Sequence, residues 1–105
     1  MTIRLSRRAM KDIEDIRAYT LERWATPKWL NYFSGLSAAM DRIAQDPTCG
    51  LPRDLLLRGM RSLPYEKHII FFLPVQIGIR RAAVLRIAHQ RRNLAALTYY
   101  EDLDE

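Results

Sequence analysis

The stretch from Glu66 to Leu73 limits the fold more than any other, because read as a strand it is apolar on both alternations. Successive strand side chains point to opposite faces. Ile69, Phe71 and Leu73 then share one face, while Ile70 and Phe72 share the other with His68. A sheet holding such a strand needs cover on both sides. Pro74 and Gly78 are expected to bracket a turn, after which Ala82 to His89 resumes the same β-branched and aliphatic character and completes a hairpin. Met60 to Leu63 supplies a further strand, led into the first by Pro64-Tyr65.

Ahead of these strands the period changes. Thr2 to Leu5 alternates as a short N-terminal strand ending at Ser6, whose hydroxyl can cap a helix from about Arg7 to Trp24. Ala9, Ile13, Ile16, Thr20 and Trp24 line its apolar face, and Lys11, Asp12, Glu14, Asp15 and Glu22 are expected to turn mostly away. Thr26-Pro27 restarts the helix, with Thr26 as cap and Pro27 in the first turn, where its missing amide has no partner to lose. Trp29, Tyr32, Phe33, Leu36, Ala39, Met40 and Ile43 form a wide apolar stripe that ends near Asp46-Pro47. The short link makes the two helices an antiparallel hairpin. Pro47 to Pro52 is loop, and Arg53 to Leu57 fits either a helical turn or an extended link. Asn93 to Tyr100 reads as a short C-terminal helix capped by Asn93, followed by the acidic, frayed tail Glu101 to Glu105.

The fold expected is a single α+β domain over residues 1–105, with the helix hairpin packed on a small antiparallel sheet in the order β-α-α-β-β-β. The hairpin covers one face. The second apolar face is expected to meet a partner, the alternative being that the loops and the C-terminal segment fold across it.

Charge bears on partners. The net charge is +5, and no Asp or Glu lies between Lys67 and Tyr100, whereas Lys67, Arg80, Arg81, Arg86, Arg91 and Arg92 all do. An acidic partner fits this field: nucleic acid, the ribosome or an acidic protein surface. Cys49 is the single cysteine, so no intrachain disulfide forms, no zinc spacing exists, and a reducing cytoplasm is expected. No signal-peptide apolar region opens the chain, and the uncharged run Ile69 to Ile79 is too short to span a bilayer. Neither secretion nor membrane insertion is expected, and nothing in the pattern calls for a metal or another cofactor.

Ser6, Ala9, Asp12, Ile13, Ile16 and Tyr19, then Gly59-Met60-Arg61-Ser62, then His68-Ile69-Ile70-Phe71-Phe72 follow one another in an order that resembles the ParE toxins of the RelE/ParE superfamily. The most specific part is Leu85-Arg86-Ile87-Ala88-His89-Gln90-Arg91-Arg92-Asn93, which is similar to that family's R-I-L-H-x-R-R/M-D ending. Phe72 stands where the family often has Tyr and Asn93 where it often has Asp, so that hydroxyl and that carboxylate are missing here. The resemblance implies the toxin of a type II toxin–antitoxin system, causing growth arrest and neutralised by a ParD-like antitoxin bound directly to it. ParE-type members poison DNA gyrase, RelE-type members cleave mRNA on the ribosome, and an inert member would only bind its antitoxin.

The residues divide accordingly. A ribonuclease acting through the 2′-hydroxyl needs a base, an acid and cations at the phosphorane, for which Arg61, Arg86, His89 and Tyr99 are the candidates. Arg86 and His89 point to opposite faces if one strand runs through both. A gyrase poison acts by docking, with Arg86, Arg91, Arg92 and Tyr99 as target-binding candidates and nucleic acid met only through the target or the toxin–antitoxin complex. Trp29, Phe33, Ile70 and Phe72 are the apolar candidates for antitoxin contact. Plain structural roles compete: Arg61 and Arg86 as ion-pair partners of Asp54 and Glu66, His68 bonded to the sheet backbone, Tyr99 and Tyr100 packing the tail. The expected reading is a gyrase-directed toxin with no chemistry of its own.

Overall fold

A computed structural model describes residues 3–99. Thr2, Tyr100 and the acidic stretch from Glu101 to Glu105 lie outside the described residues. Strand β1 (Ile3–Leu5) leads into helices α1 (Arg7–Arg23) and α2 (Thr26–Gln45), then strands β2 (Leu51–Pro52), β3 (Arg61–Tyr65), β4 (His68–Ile77) and β5 (Arg80–His89). A 3-10 turn, Leu94–Ala96, follows in place of the longer C-terminal helix, and Asn93 makes no side-chain cap there.

Ser6 starts α1 as its residue type predicts: its Oγ accepts from the Ala9 amide at 3.0 Å, and the same hydroxyl donates to the Leu85 carbonyl at 2.8 Å. One buried side chain therefore caps the helix and pins it to β5. Helix α2 begins differently from the expectation, because its cap is Ala25, whose methyl accepts no hydrogen bond, and Thr26 is already helical with Pro27 behind it.

The sheet runs β1-β5-β4-β3-β2. It is mixed, not wholly antiparallel: β1 lies parallel to β5, with Ile3 opposite Ala82 and Leu5 opposite Val84. The β4–β5 turn falls at Gly78, with φ +60, and Pro74 sits inside β4 instead of in the turn. The last rung to β3 is Arg61–Phe72, so Pro74 lies where β4 has lost that neighbour, the kind of edge position to which sheets confine proline.

Both faces of β4 are buried, by different means. Ile70, Phe72, Val84 and Ile87 pack under the helices against Leu36, Met40, Ile43 and Ala9. Phe71, Ala83, Leu85 and Ala88 face the other way and are covered by Met60, Leu56 and Leu57 from the loop and by Leu94, Leu97 and Tyr99 from the C-terminal segment. The chain itself closes the second face, so the expected partner is not needed there. The Tyr99 ring meets Phe71 edge-on at 5.2 Å, and its hydroxyl donates to the Leu94 carbonyl at 2.7 Å. Burying a side chain of this size is worth about 1.5–3 kcal/mol, enough to hold a short segment down. The loop resolves as a turn, with the Leu56 and Leu57 amides both donating to the Arg53 carbonyl and Arg53 Nε reaching Ser62 Oγ at 2.8 Å. Among the described residues no helix is long and apolar enough to cross a membrane.

Candidate functional site: a polar groove at the histidine end of the sheet

An irregularity in β5 sets the geometry. Phe72 pairs with Val84 but Phe71 pairs with Arg86, so Leu85 is an extra residue bulged out of the ladder. Strand β1 has also ended at Val84, and α1 takes over that edge of β5. The Asp12 carboxylate accepts the Ile87 amide at 2.8 Å and receives Arg86 in a two-pronged pair, Nε to Oδ2 at 2.8 Å and Nη2 to Oδ1 at 2.9 Å. Arg86 Nη1 reaches the Thr98 carbonyl at 3.4 Å. Both side chains are buried. Arg86 is thus a buried clamp between α1, β5 and the C-terminal segment, not a solvated edge.

Beyond the clamp lies a groove of about 700 Å³ between the C-terminal half of α1, the start of α2, the β3–β4 turn and the end of β5. His68 and His89 face each other across the β4–β5 ladder, with ring centroids 5.5 Å apart and planes at 80°. The Tyr32 hydroxyl lies 3.0 Å from His68 Nδ1, and His89 Nδ1 accepts the Arg91 amide at 3.1 Å. Tyr65 donates to the Tyr32 carbonyl at 2.7 Å. Its ring occupies the space that a side chain on Gly35 would need, which explains a glycine in the middle of α2. The two-residue turn Glu66-Lys67 has Glu66 at φ 54 and places Lys67 beside the histidines.

Burial governs titration here. His68 is held below the usual imidazole range, first by burial and then by His89, with Asp12 acting weakly the other way. The Tyr32 phenol is pushed well above its ordinary value, again first by burial and then by Tyr65 and Glu66. Both groups are neutral near pH 7, so the groove keeps a neutral imidazole and a hydroxyl able to donate.

The four ribonuclease candidates do not converge. Arg61 spends its Nε on the Cys49 carbonyl at 2.9 Å and its Nη2 on the Gly50 carbonyl at 3.0 Å, pairing with Phe72 at the far end of the rungs from His68. Asp54 accepts the Gly59 amide instead of pairing with Arg61. Tyr99 is buried against the sheet's second face, which also removes it from a docking surface. Arg86 opposes Phe71 and His89 opposes His68, an odd offset that puts these two on different faces. Only His89 lines the groove. Arg81 donates to the carbonyls of Ala44 and Gln45 at the end of α2. Arg91 and Arg92 are exposed, and Arg92 lines the groove.

The apolar candidates divide as well. Ile70 and Phe72 are 0% exposed beneath the helices, so neither belongs to a surface a partner could touch. Trp29 is buried beside Tyr32 and Phe33. Phe33 remains 39% exposed, next to Leu30 at 59%. His68 bonds to a tyrosine, not to the sheet backbone. Asp12, Tyr32, Tyr65 and Lys67 were not singled out as site residues by sequence reasoning. The spacing Ala9, Asp12, Ile16 does put Asp12 on the inward face, and Gly35 inside an apolar stripe does announce a close approach.

The chain that folds into this helix hairpin on a mixed sheet falls in the class of toxins of type II toxin–antitoxin systems. Within that class the chain belongs to the ParE family: the family model described as the ParE toxin of the type II toxin-antitoxin system, parDE, matches residues 3–94. Toxin ParE1 of Caulobacter vibrioides is 34% identical over 93 residues, covering 89% of this chain and 93% of that protein. Toxin ParE1 of Mycobacterium tuberculosis H37Rv is 31% identical over 90 residues, covering 86% of this chain and 90% of its own.

Proposed function

We propose that this ParE-family toxin arrests growth in the cytoplasm by docking on DNA gyrase, and that a ParD-like antitoxin neutralises it by covering the helix hairpin. The observation carrying the first part is that Arg91 and Arg92 stand exposed at the end of β5, while Arg61, Arg86 and Tyr99, three of the four residues a ribonuclease would use, are tied up elsewhere. Two adjacent unburied arginines beside a segment free of acids create a local field suited to an acidic surface. Leu30 and Phe33, with Tyr19 and Trp24 further along the hairpin, give an amphipathic segment apolar side chains to cover.

The test sets purified protein with gyrase and relaxed plasmid beside ribosomes with a defined message. Inhibited supercoiling with an intact message is expected, and Arg91→Glu with Arg92→Glu abolishes it while antitoxin binding, resting on apolar burial, falls much less. A cut message with normal supercoiling would replace this reading by the ribonuclease one. Unchanged growth on induction would leave a member that only binds its antitoxin.

A further inference from the structure

We propose that the groove at the His68–His89 end is a direct binding site for single-stranded nucleic acid, one nucleotide at a time, with a phosphate on the two imidazoles and a base on the aromatic rim. This goes beyond the docking of gyrase proposed above, with which it shares Arg92.

The histidines supply the first argument. Each ring is fixed from behind through Nδ1, His68 by the Tyr32 hydroxyl and His89 by the Arg91 amide. An Nδ1 that accepts a hydrogen bond leaves the neutral imidazole's proton on Nε2. His89 has that tautomer, and His68 shares it when the Tyr32 hydroxyl donates, as its protonated phenol can. Neither Nε2 has a hydrogen-bond partner among the described residues. Two imidazole N–H donors on rings 5.5 Å apart at the wall of one groove suit an oxygen-rich acceptor with several lone pairs.

Charge narrows the class of acceptor. Of the acids lining the groove, Asp12 is consumed by Arg86 and Asp15 by Lys11 at 2.8 Å. Lys28, Lys67 and Arg92 then stand against Glu66 alone, a positive excess. A metal ion is a poor occupant, since among the described residues no group of three or more His, Cys, Asp or Glu could hold one. An anion fits.

The rim says what the anion is attached to. Trp24 and Tyr19 line the groove and are each more than half exposed, although neither is needed by the core. Lys28 Nζ sits 4.8 Å from the Trp24 ring and the Arg23 guanidinium 4.5 Å from Tyr19, so one face of each ring is braced by a cation. Exposed rings beside a cationic track are how sequence-tolerant single-strand sites hold successive bases. The volume of about 700 Å³ lies within the range for small-ligand sites, roughly 300–1,000 Å³, and has room for a nucleotide but not for a folded partner.

The test titrates the full chain with the pentanucleotides U5 and dT5, and with UMP, inorganic phosphate and an acidic pentapeptide. Trp24 fluorescence and the His68 and His89 ring signals are followed, and melting curves confirm that each variant folds. A pentanucleotide should quench Trp24, shift both histidines, and bind with a log affinity that falls linearly with log salt. Trp24→Ala, at an exposed position, and His89→Gln should each weaken it about tenfold. Preference for U5 over dT5 assigns the strand as RNA, and equal binding assigns the site to the sugar-phosphate chain common to both. Inorganic phosphate binding as tightly as the pentanucleotides, the pentapeptide binding more tightly, or no response of Trp24 would each overturn the proposal. Gyrase inhibition by Trp24→Ala, measured in parallel, keeps the two readings separate: loss of oligonucleotide binding with inhibition retained speaks for this site and leaves the gyrase reading standing.

Discussion

Arg86 Nε and Nη2 donate to the two oxygens of Asp12 at 2.8 and 2.9 Å, across 74 residues of sequence. The pair is buried, so losing one member strands a charge away from water. Asp12→Ala should cost about 3–5 kcal/mol by urea denaturation, more than an ordinary surface change. Asp12→Leu combined with Arg86→Leu should lose less than Asp12→Ala alone, because no unpaired charge remains. Equal losses would show that the clamp's worth lies in packing.

Gly35→Ala reverses the usual sign for a helix interior. Alanine there normally stabilises by about 1 kcal/mol. Here its methyl would meet the Tyr65 ring and hydroxyl, so the ring must shift and its hydrogen bond to the Tyr32 carbonyl is disturbed. The melting temperature should fall, and adding Tyr65→Ala should cancel most of the effect of the glycine change. Additive effects would mean that the two positions do not touch.

Glu66 adopts φ 54 in the two-residue β3–β4 turn. A non-glycine residue in the left-handed region is strained by about 1–2 kcal/mol. Glu66→Gly relieves that strain but adds freedom to the unfolded chain, so a net gain of about 0.5 kcal/mol is expected in a denaturation midpoint. A loss would show that the Glu66 side chain holds the turn.

His68 gives the fold a pH dependence. Its pKa is lowered in the folded protein, first by burial, so below about 6.5 the unfolded chain binds a proton that the folded one resists. The contribution is fully present above that pH and is lost as the pH falls toward the folded value. Melting temperatures at pH 8 and pH 5.5 should diverge less for His68→Gln than for the parent. An unchanged difference would assign the acid sensitivity to other groups.

The fold was largely readable because its strongest signals are local. Ser6 before a helical period and the doubly apolar Glu66 to Leu73 stretch each specify their element within a few residues. What escaped depends on distant partners. Asp12 looks like a surface charge until Arg86 and the Ile87 amide are brought to it. Leu56, Leu57, Leu94 and Leu97 carry no period, so their joint cover of the second face is invisible along the chain. The pairing of His68 with His89 follows a one-residue bulge at Leu85, and no residue type there announces it. Arg86 was singled out for its charge, the property the fold uses up internally.

The parallel rung between Ile3 and Ala82 couples the first described residue to the last strand. Along with Ser6 to Leu85 and Asp12 to Ile87, it gives the beginning of the chain partners that are synthesised near the end. Contacts of such high sequence separation slow folding, since long loops must close before they contribute. On a translating ribosome α1 emerges with its capping serine, its buried carboxylate and its apolar face still waiting for β5. Until that strand has cleared the exit tunnel the groove does not exist, so whatever the toxin binds there can be bound only after β5 is released and paired.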